Sequence, residues 1–334
     1  MLNHDVERKV ISILRVLSGA KDPLGARTIS RQLEDQGIYL SERAVRYHLL
    51  LLDERGLTQS NGKEGRLITP KGLEELSNAL VADKVSLVIT KMDTLSYRTT
   101  FDINTGKGKI ILNTTLLPAD KFNKALAAMR DVFSSKLSVS DLVAVAYEGE
   151  KLGDLLIPEG KVGFGTICSI TINGILLRSG IPVDSKFGGI LQMKGFKALR
   201  FTDLISYTGS SLDPLEIFIR GRMTSVREAA RSGDGKILAS FREIPAVCRE
   251  HVESLLARIN DLGLRGLITL GDQSQELLDV QVGVNRIGMV VAGGLNPMAA
   301  VEEVGISTEN RALSTMYDFE SLRSFWELST EVDV

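Results

Sequence analysis

Cysteine is nearly missing from this 334-residue chain, with only Cys168 and Cys248 present. Two cysteines are too few for a disulfide scaffold or a cysteine zinc site, and neither lies in a Cys-x-x-Cys pair, so both read as small core residues. Histidine is as scarce. His4, His48 and His251 have no metal-ligand spacing to one another, so no structural metal is expected. An excess of charge of one sign is also lacking: 40 Lys plus Arg stand against 42 Asp plus Glu, a net charge of -2. Contact with nucleic acid or an anionic membrane must then rest on a local cluster. Apolar runs such as Leu142–Tyr147 and Gly288–Ala292 fall far below the ~20 residues that span a bilayer. The opening Met1-Leu2-Asn3-His4-Asp5-Val6-Glu7 lacks the basic and then apolar order of a signal peptide, so a cytoplasmic location without a membrane partner is expected.

Enzyme motifs are missing as well. There is no P-loop, no His-Glu-x-x-His and no Gly-x-Ser-x-Gly. Gly163-Phe164-Gly165-Thr166-Ile167-Cys168 starts like a dinucleotide fingerprint but lacks its third glycine. No catalytic residue, and no enzyme, is expected. What remains is an ordinary globular composition, 43% hydrophobic, in a chain too long for one core.

Residues 1–80 read as a helical unit with one hairpin. Val6, Val10, Ile13, Leu14 and Leu17 follow the helical period over Asp5–Ser18, and Ile29 and Leu33 mark a second helix over Ala26–Gln36. Ser41 is the N-cap of a third helix ending near Arg55. Leu57–Ser60 and Arg66–Thr69 flank a turn containing Asn61-Gly62, and Thr69-Pro70 opens a fourth helix with Leu73, Leu76 and Leu80 on its buried face. This order is that of a winged helix-turn-helix. On the third helix Arg43, Arg46 and Tyr47 share one face, opposite Val45, Leu49 and Leu52, as in a recognition helix that packs one side and reads bases with the other. Together with Ser41, and with Lys63 and Arg66 on the wing, they are the expected DNA-binding residues. The segment carries 12 Lys plus Arg against 11 Asp plus Glu, so the positive charge is placed rather than abundant.

Residues 84–334 read as an α+β effector and oligomerisation domain of two related lobes, about 84–209 and about 214–330. Val85–Thr90, Tyr97–Asn104, Lys109–Thr115, Leu142–Tyr147 and stretches between Val162 and Ile175 read as strands, and Pro118 opens a helix through Lys136. Lys107-Gly108-Lys109-Ile110-Ile111 matches Asp234-Gly235-Lys236-Ile237-Leu238, and Leu117-Pro118-Ala119 matches Ile244-Pro245-Ala246, both displaced by 127 positions. Val162-Gly163 pairs with Val282-Gly283, and Asn173-Gly174-Ile175 with Gly293-Gly294-Leu295, displaced by 120. The glycine-rich stretches suggest a pocket for an anion, with Thr166, Ser169, Thr171, Asn173 and Arg178 from the first lobe and Asn285, Arg286 and Asn296 from the second. Turns and tight strand packing explain glycines of this kind equally well.

With these residues in view, the chain resembles the archaeal nitrogen-regulation repressor family. The likeness rests on Ser41-Glu42-Arg43-Ala44-Val45-Arg46-Tyr47-His48-Leu49, on Gly65-Arg66-Leu67-Ile68-Thr69-Pro70-Lys71-Gly72-Leu73, and on Gly163 through Gly174. It covers nearly the whole chain. The resemblance implies a repressor of nitrogen-assimilation genes that binds double-stranded operator DNA as a homodimer or higher homo-oligomer. It also implies release by 2-oxoglutarate as effector ligand, with no cofactor. Family members carry one or two effector domains, sometimes divided between two proteins, so a second effector-domain protein is an open alternative as partner. The competing reading is a winged-helix transcription regulator of another metabolic pathway that senses a different small molecule.

Overall fold

A computed structural model describes residues 4–20, 22–34, 38–76 and 87–331. Contacts divide the chain into two units, Met1–Val85 and Ser86–Val334.

In the first unit α1 (His4–Ser18), α2 (Ala26–Glu34) and α3 (Glu42–Glu54) precede the hairpin β1 (Thr58–Ser60) and β2 (Arg66–Ile68), and residues 70–76 form α4. This is the winged-helix order. Ile13, Leu14, Ile29, Leu33, Val45, Leu49 and Leu52 are all fully buried and form one core. Thr69 caps α4, its hydroxyl accepting from Gly72 N at 3.0 Å, but Leu73 is 48% exposed and only Leu76 of the expected buried pair is covered. Leu80 lies outside the described residues.

The second unit opens on α5 (Leu87–Arg98), where a strand and part of a second were expected. Val88, Met92 and Leu95 are buried at helical spacing and Tyr97 is exposed, so the period of the apolar positions prevails over the β-branched residues between them. Residues 85 and 86 of the expected strand lie outside the described residues. Then follow β3 (Lys109–Pro118), α6 (Phe122–Ser134), β4 (Leu142–Ala146), β5 (Lys151–Leu152), β6 (Leu155–Leu156), β7 (Lys161–Ile167), α7 (Ile170–Arg178), β8 (Asp184–Lys194) and β9 (Lys197–Ser206). Pro118 closes β3 rather than opening a helix, and a 3-10 turn, Ala119–Lys121, leads into α6. The expected strand through Ile175 ends at Ile167. Its remainder is α7, whose residues 170–176 are all buried, so no alternation separates helix from strand there.

The order then repeats through α8 (Pro214–Arg220), α9 (Val226–Ser232), β10 (Gly235–Pro245), α10 (Arg249–Asp261), β11 (Leu267–Gln273), β12 (Arg286–Ala292), α11 (Asn296–Glu303), β13 (Glu309–Asp318), β14 (Arg323–Ser324) and α12 (Phe325–Glu331). Strand β3 corresponds to β10, and both end in Pro and a 3-10 turn, which matches the displacement of 127. The displacement of 120 does not hold: Val282-Gly283 precedes β12, and Gly293-Gly294 lies between β12 and α11, whereas Asn173-Gly174 lies inside α7.

Two five-stranded sheets result, in the orders β11-β12-β10-β8-β9 and β13-β3-β7-β4-β14. Each sheet joins strands of one copy to strands of the other, β8 lying beside β10, with β9 outside it, and β13 beside β3. The two lobes read from the sequence are thus interlocked. One core gathers around α6, α9 and α11, and another around α7 and α10.

Candidate functional site

Helix α3 offers the first site. Ser41 is its N-cap, the hydroxyl accepting from Ala44 N at 3.3 Å. Val45, His48, Leu49 and Leu52 are buried, while Arg43, Arg46 and Tyr47 are exposed on the opposite face. Arg46 pairs with Glu42 one turn earlier, which fixes its guanidinium along the helix. His48 packs beneath Tyr47, and burial followed by the charge of Lys9 holds its imidazole below the ordinary value.

The wing divides its two cations. Lys63 stands exposed on the Asn61–Gly65 turn. Arg66 does not join it: its Nε donates to Asp53 Oδ2 at 2.7 Å in a half-buried ion pair, and Asp53 Oδ1 also accepts from Thr58. In this structure the guanidinium holds the wing against the end of α3, a structural role beside the phosphate or minor-groove contact expected of Arg66.

In the second unit the expected effector residues fall into three groups. Ser169 and Asn173 come together around a residue that sequence reading missed. Arg242, on β10, is fully buried; its Nη1 donates to Ser169 O at 3.0 Å and to Asn173 Oδ1, and its Nη2 donates to Ser169 Oγ at 2.7 Å and Ser240 Oγ at 3.1 Å. Its Nε has no partner, and among the described residues no carboxylate forms an ion pair with it. Burial pulls its pKa down to about 10, so it stays a cation at neutral pH.

Thr166, Thr171 and Asn296 are buried structural groups. Thr166 pairs across strands with Asn113, Thr171 Oγ1 bonds both the N and the O of Ile111, and Asn296 bonds Leu238 N, Leu238 O and Leu137 O. Arg178, Asn285 and Arg286 lie elsewhere: Arg178 is exposed in the last turn of α7, and Asn285 and Arg286 form the turn into β12. These six therefore do not join Ser169 and Asn173 around Arg242.

The glycines serve close packing. A Cβ at Gly174 would lie 2.4 Å from Thr99 Oγ1, so the residue lets α7 press against α5. A Cβ at Gly294 would meet Ile167 O at 2.3 Å. Beside that contact is a chamber of about 10 Å3 walled by Asn113, Cys168, Ser169, Tyr207, Asp213 and Leu313. Burial pushes the Cys168 thiol up to about 12 and raises the Tyr207 hydroxyl, so both remain protonated. Burial and then the charge of Glu216 lift the Asp213 carboxyl to about 7.

A buried charge is costly unless an anion or a full set of hydrogen bonds meets it. Arg242 has acceptors but no counter-ion. The signal in the sequence was one arginine inside the mostly apolar strand segment Ile237–Ile244, with Ser169 and Asn173 some seventy positions away.

Residues 85–324 match the family of NrpR regulatory domains NRD1 and 2, and residues 11–76 match the Ribonuclease R winged-helix domain. The chain is 39% identical to the global nitrogen regulator NrpRI of Methanosarcina mazei over 97% of its own length and 99% of the relative. It is 33% identical to the global nitrogen regulator NrpR of Methanocaldococcus jannaschii, covering 95% of this chain and 55% of that protein. The corresponding protein of Methanococcus maripaludis is 31% identical, with 54% of it covered, so the chain spans little more than half of these two. The crystal structure of a nitrogen repressor-like protein from Methanococcus jannaschii superposes with a TM-score of 0.61 at 30% identity, over 71% of this chain and 98% of that one.

Proposed function

We propose that this chain, which belongs to the NrpR family of global nitrogen regulators and is a nitrogen-regulating transcriptional repressor, binds operator DNA through α3 and is released from it by 2-oxoglutarate. The observation that carries the reading is the exposed face of α3, where Arg43, Arg46 and Tyr47 stand clear of the core in a winged helix joined to a nitrogen-regulator domain. Guanidinium groups near a recognition-helix N-terminus suit the O6 and N7 acceptors of guanine. A homodimer would present two such helices to half-sites about 34 Å apart. A partner carrying a second effector domain would complete the same arrangement. An effector that prefers one spacing of the helices over another releases the DNA by its differential affinity alone.

The test is a mobility-shift titration on promoter DNA of nitrogen-assimilation genes, with and without 2-oxoglutarate. Arg43→Ala and Arg46→Ala are each expected to lose about 1–3 kcal/mol of specific binding. Unchanged affinity in both variants removes α3 as the reading element. Equal affinity with and without 2-oxoglutarate removes the release mechanism.

A further inference from the structure

Among the described residues of the first unit, four large apolar side chains stand exposed, and three of them fall between residues 39 and 50: Tyr39 at 80%, Tyr47 at 60% and Leu50 at 56%. A single exposed leucine is ordinary on a protein surface. Leu50 is placed differently. At 100° per residue it lies about 20° from Arg43, with Arg46 about 40° farther to one side and Tyr47 about 60° away to the other, so an apolar side chain sits at the centre of the face that carries both arginines. The core of the unit cannot take it in. Val45, Leu49 and Leu52 are fully buried on the opposite side, and turning α3 enough to cover Leu50 would bring them into water.

The face also has an end. Glu54, the next residue on the same line, is exposed, and DNA phosphates would repel its carboxylate, so the stretch able to enter a groove runs from Arg43 to Leu50. Over that stretch the helix rises about 10 Å, or about three base-pair steps when it runs along the groove. Its two ends differ in chemistry. Arg43 offers donors suited to the O6 and N7 of guanine, whereas Leu50 can neither donate nor accept. Of the groups that distinguish base pairs in the major groove, only the 5-methyl group of thymine is apolar.

We infer that Leu50 packs against the 5-methyl group of a thymine, about three base pairs from the guanine met by Arg43, and so makes recognition of the operator depend on that thymine. This rests on the reading of α3 given above and adds to it a base that the arginines do not read. Tyr47 stands one turn before Leu50, its ring held edge-on by the buried His48 with centroids 5.6 Å apart, so the two exposed apolar groups are neighbours on one surface. The contact is small. One buried methyl group changes affinity about fourfold.

The experiment is a mobility-shift titration of the full chain on promoter DNA of nitrogen-assimilation genes, made once with thymine and once with uracil at every thymine position. Uracil keeps the base pairing and lacks only the methyl group. The wild type is expected to bind the uracil duplex about three- to tenfold more weakly. Leu50→Ala changes an exposed position to the best helix former, so the fold is kept. It is expected to bind both duplexes alike, about as weakly as the wild type binds the uracil one, with an unchanged salt slope because no phosphate contact is lost. Equal wild-type affinity for the two duplexes, or a Leu50→Ala protein that separates them as the wild type does, overturns the proposal. Either result leaves the reading of α3 standing where Arg43→Ala and Arg46→Ala weaken binding to the thymine duplex. If neither arginine variant changes affinity, that reading fails and the proposal with it.

Discussion

Thr115 on β3 and Arg242 on β10 stand in equivalent places in the two copies of the repeat, and the copies use them differently. Each faces a strand of the other copy, Thr115 opposite Asn310 and Arg242 opposite Ser185, next to a break in register. Thr115 makes one hydrogen bond to Asn310 Oδ1, at 2.8 Å. Arg242 makes four, two of them to Ser169. When the starts of α7 and α11 are aligned, Leu295 and Ala299 stand where the first copy has Ser169 and Asn173. The two copies share a frame, and the polar groups at these places are concentrated in one of them. A symmetric scaffold therefore does not imply two equal sites.

The largest test of that asymmetry is titration of Asp213, which lies beside the chamber in the second copy. It faces Glu216, Lys91, Tyr207 and Cys168, and its carboxyl is lifted from 3.8 to about 7. The folded state keeps the proton to higher pH than the unfolded chain does, so Asp213 favours folding least when ionised. Its contribution is most favourable below the unfolded value and is lost as pH rises through the folded one. That rise in pKa corresponds to a cost on the order of 4 kcal/mol, most of it appearing between about pH 4 and pH 7. Asp213→Asn keeps an acceptor for Leu215 N and removes the charge. Urea midpoints should therefore show the variant gaining on the wild type as pH rises across that range. A constant difference would mean that the buried carboxyl is not coupled to folding.

The direct comparison comes next. Arg242→Ala leaves four donor contacts unmade and a void, an expected loss of about 3 kcal/mol after allowing for relief of the buried charge. Thr115→Ala removes one neutral hydrogen bond, about 1 kcal/mol. Denaturation of both proteins checks the ratio, and equal losses would show that the two places carry the same load.

Legibility followed the range of the interactions. The face of α3 could be read because Arg43, Arg46 and Val45, Leu49 sort themselves within four residues of one another, and the wing could be read from Asn61-Gly62. The repeat at β3 and β10 was visible where its residues stayed similar, in Lys-Ile and Leu-Pro or Ile-Pro, and was misaligned where only two- or three-residue glycine-containing stretches were matched. Helices α5 and α7 were hidden by β-branched residues and by burial on every side. Arg242 was not legible, because three of its four hydrogen bonds go to α7 and the turn before it, and Ser240 on β10 does not announce them. Ser169 and Asn173, polar residues in an apolar run, come together around Arg242, while Arg178 and Arg286, chosen for their charge within the glycine-rich stretches, lie elsewhere.

The wing poses the contrast between similar residues on a smaller scale. Lys63 and Arg66 are cations three positions apart, one on an exposed turn and the other tied to Asp53. A lysine at the tip that meets phosphate contributes without regard to sequence, so Lys63→Ala should weaken binding to all DNA alike and lower the salt slope by about one. Its stability should stay within about 0.5 kcal/mol of wild type, as for other exposed positions. Arg66→Ala breaks a half-buried pair that solvent partly screens, an expected loss of about 1 kcal/mol. Its effect on DNA should follow from a loosened wing: weaker binding with the salt slope unchanged, since no phosphate contact is lost. Thermal denaturation together with binding measured at several salt concentrations separates the two. If Arg66→Ala lowers the slope by as much as Lys63→Ala does, its guanidinium leaves Asp53 for the DNA backbone, and the division of labour along the wing is wrong.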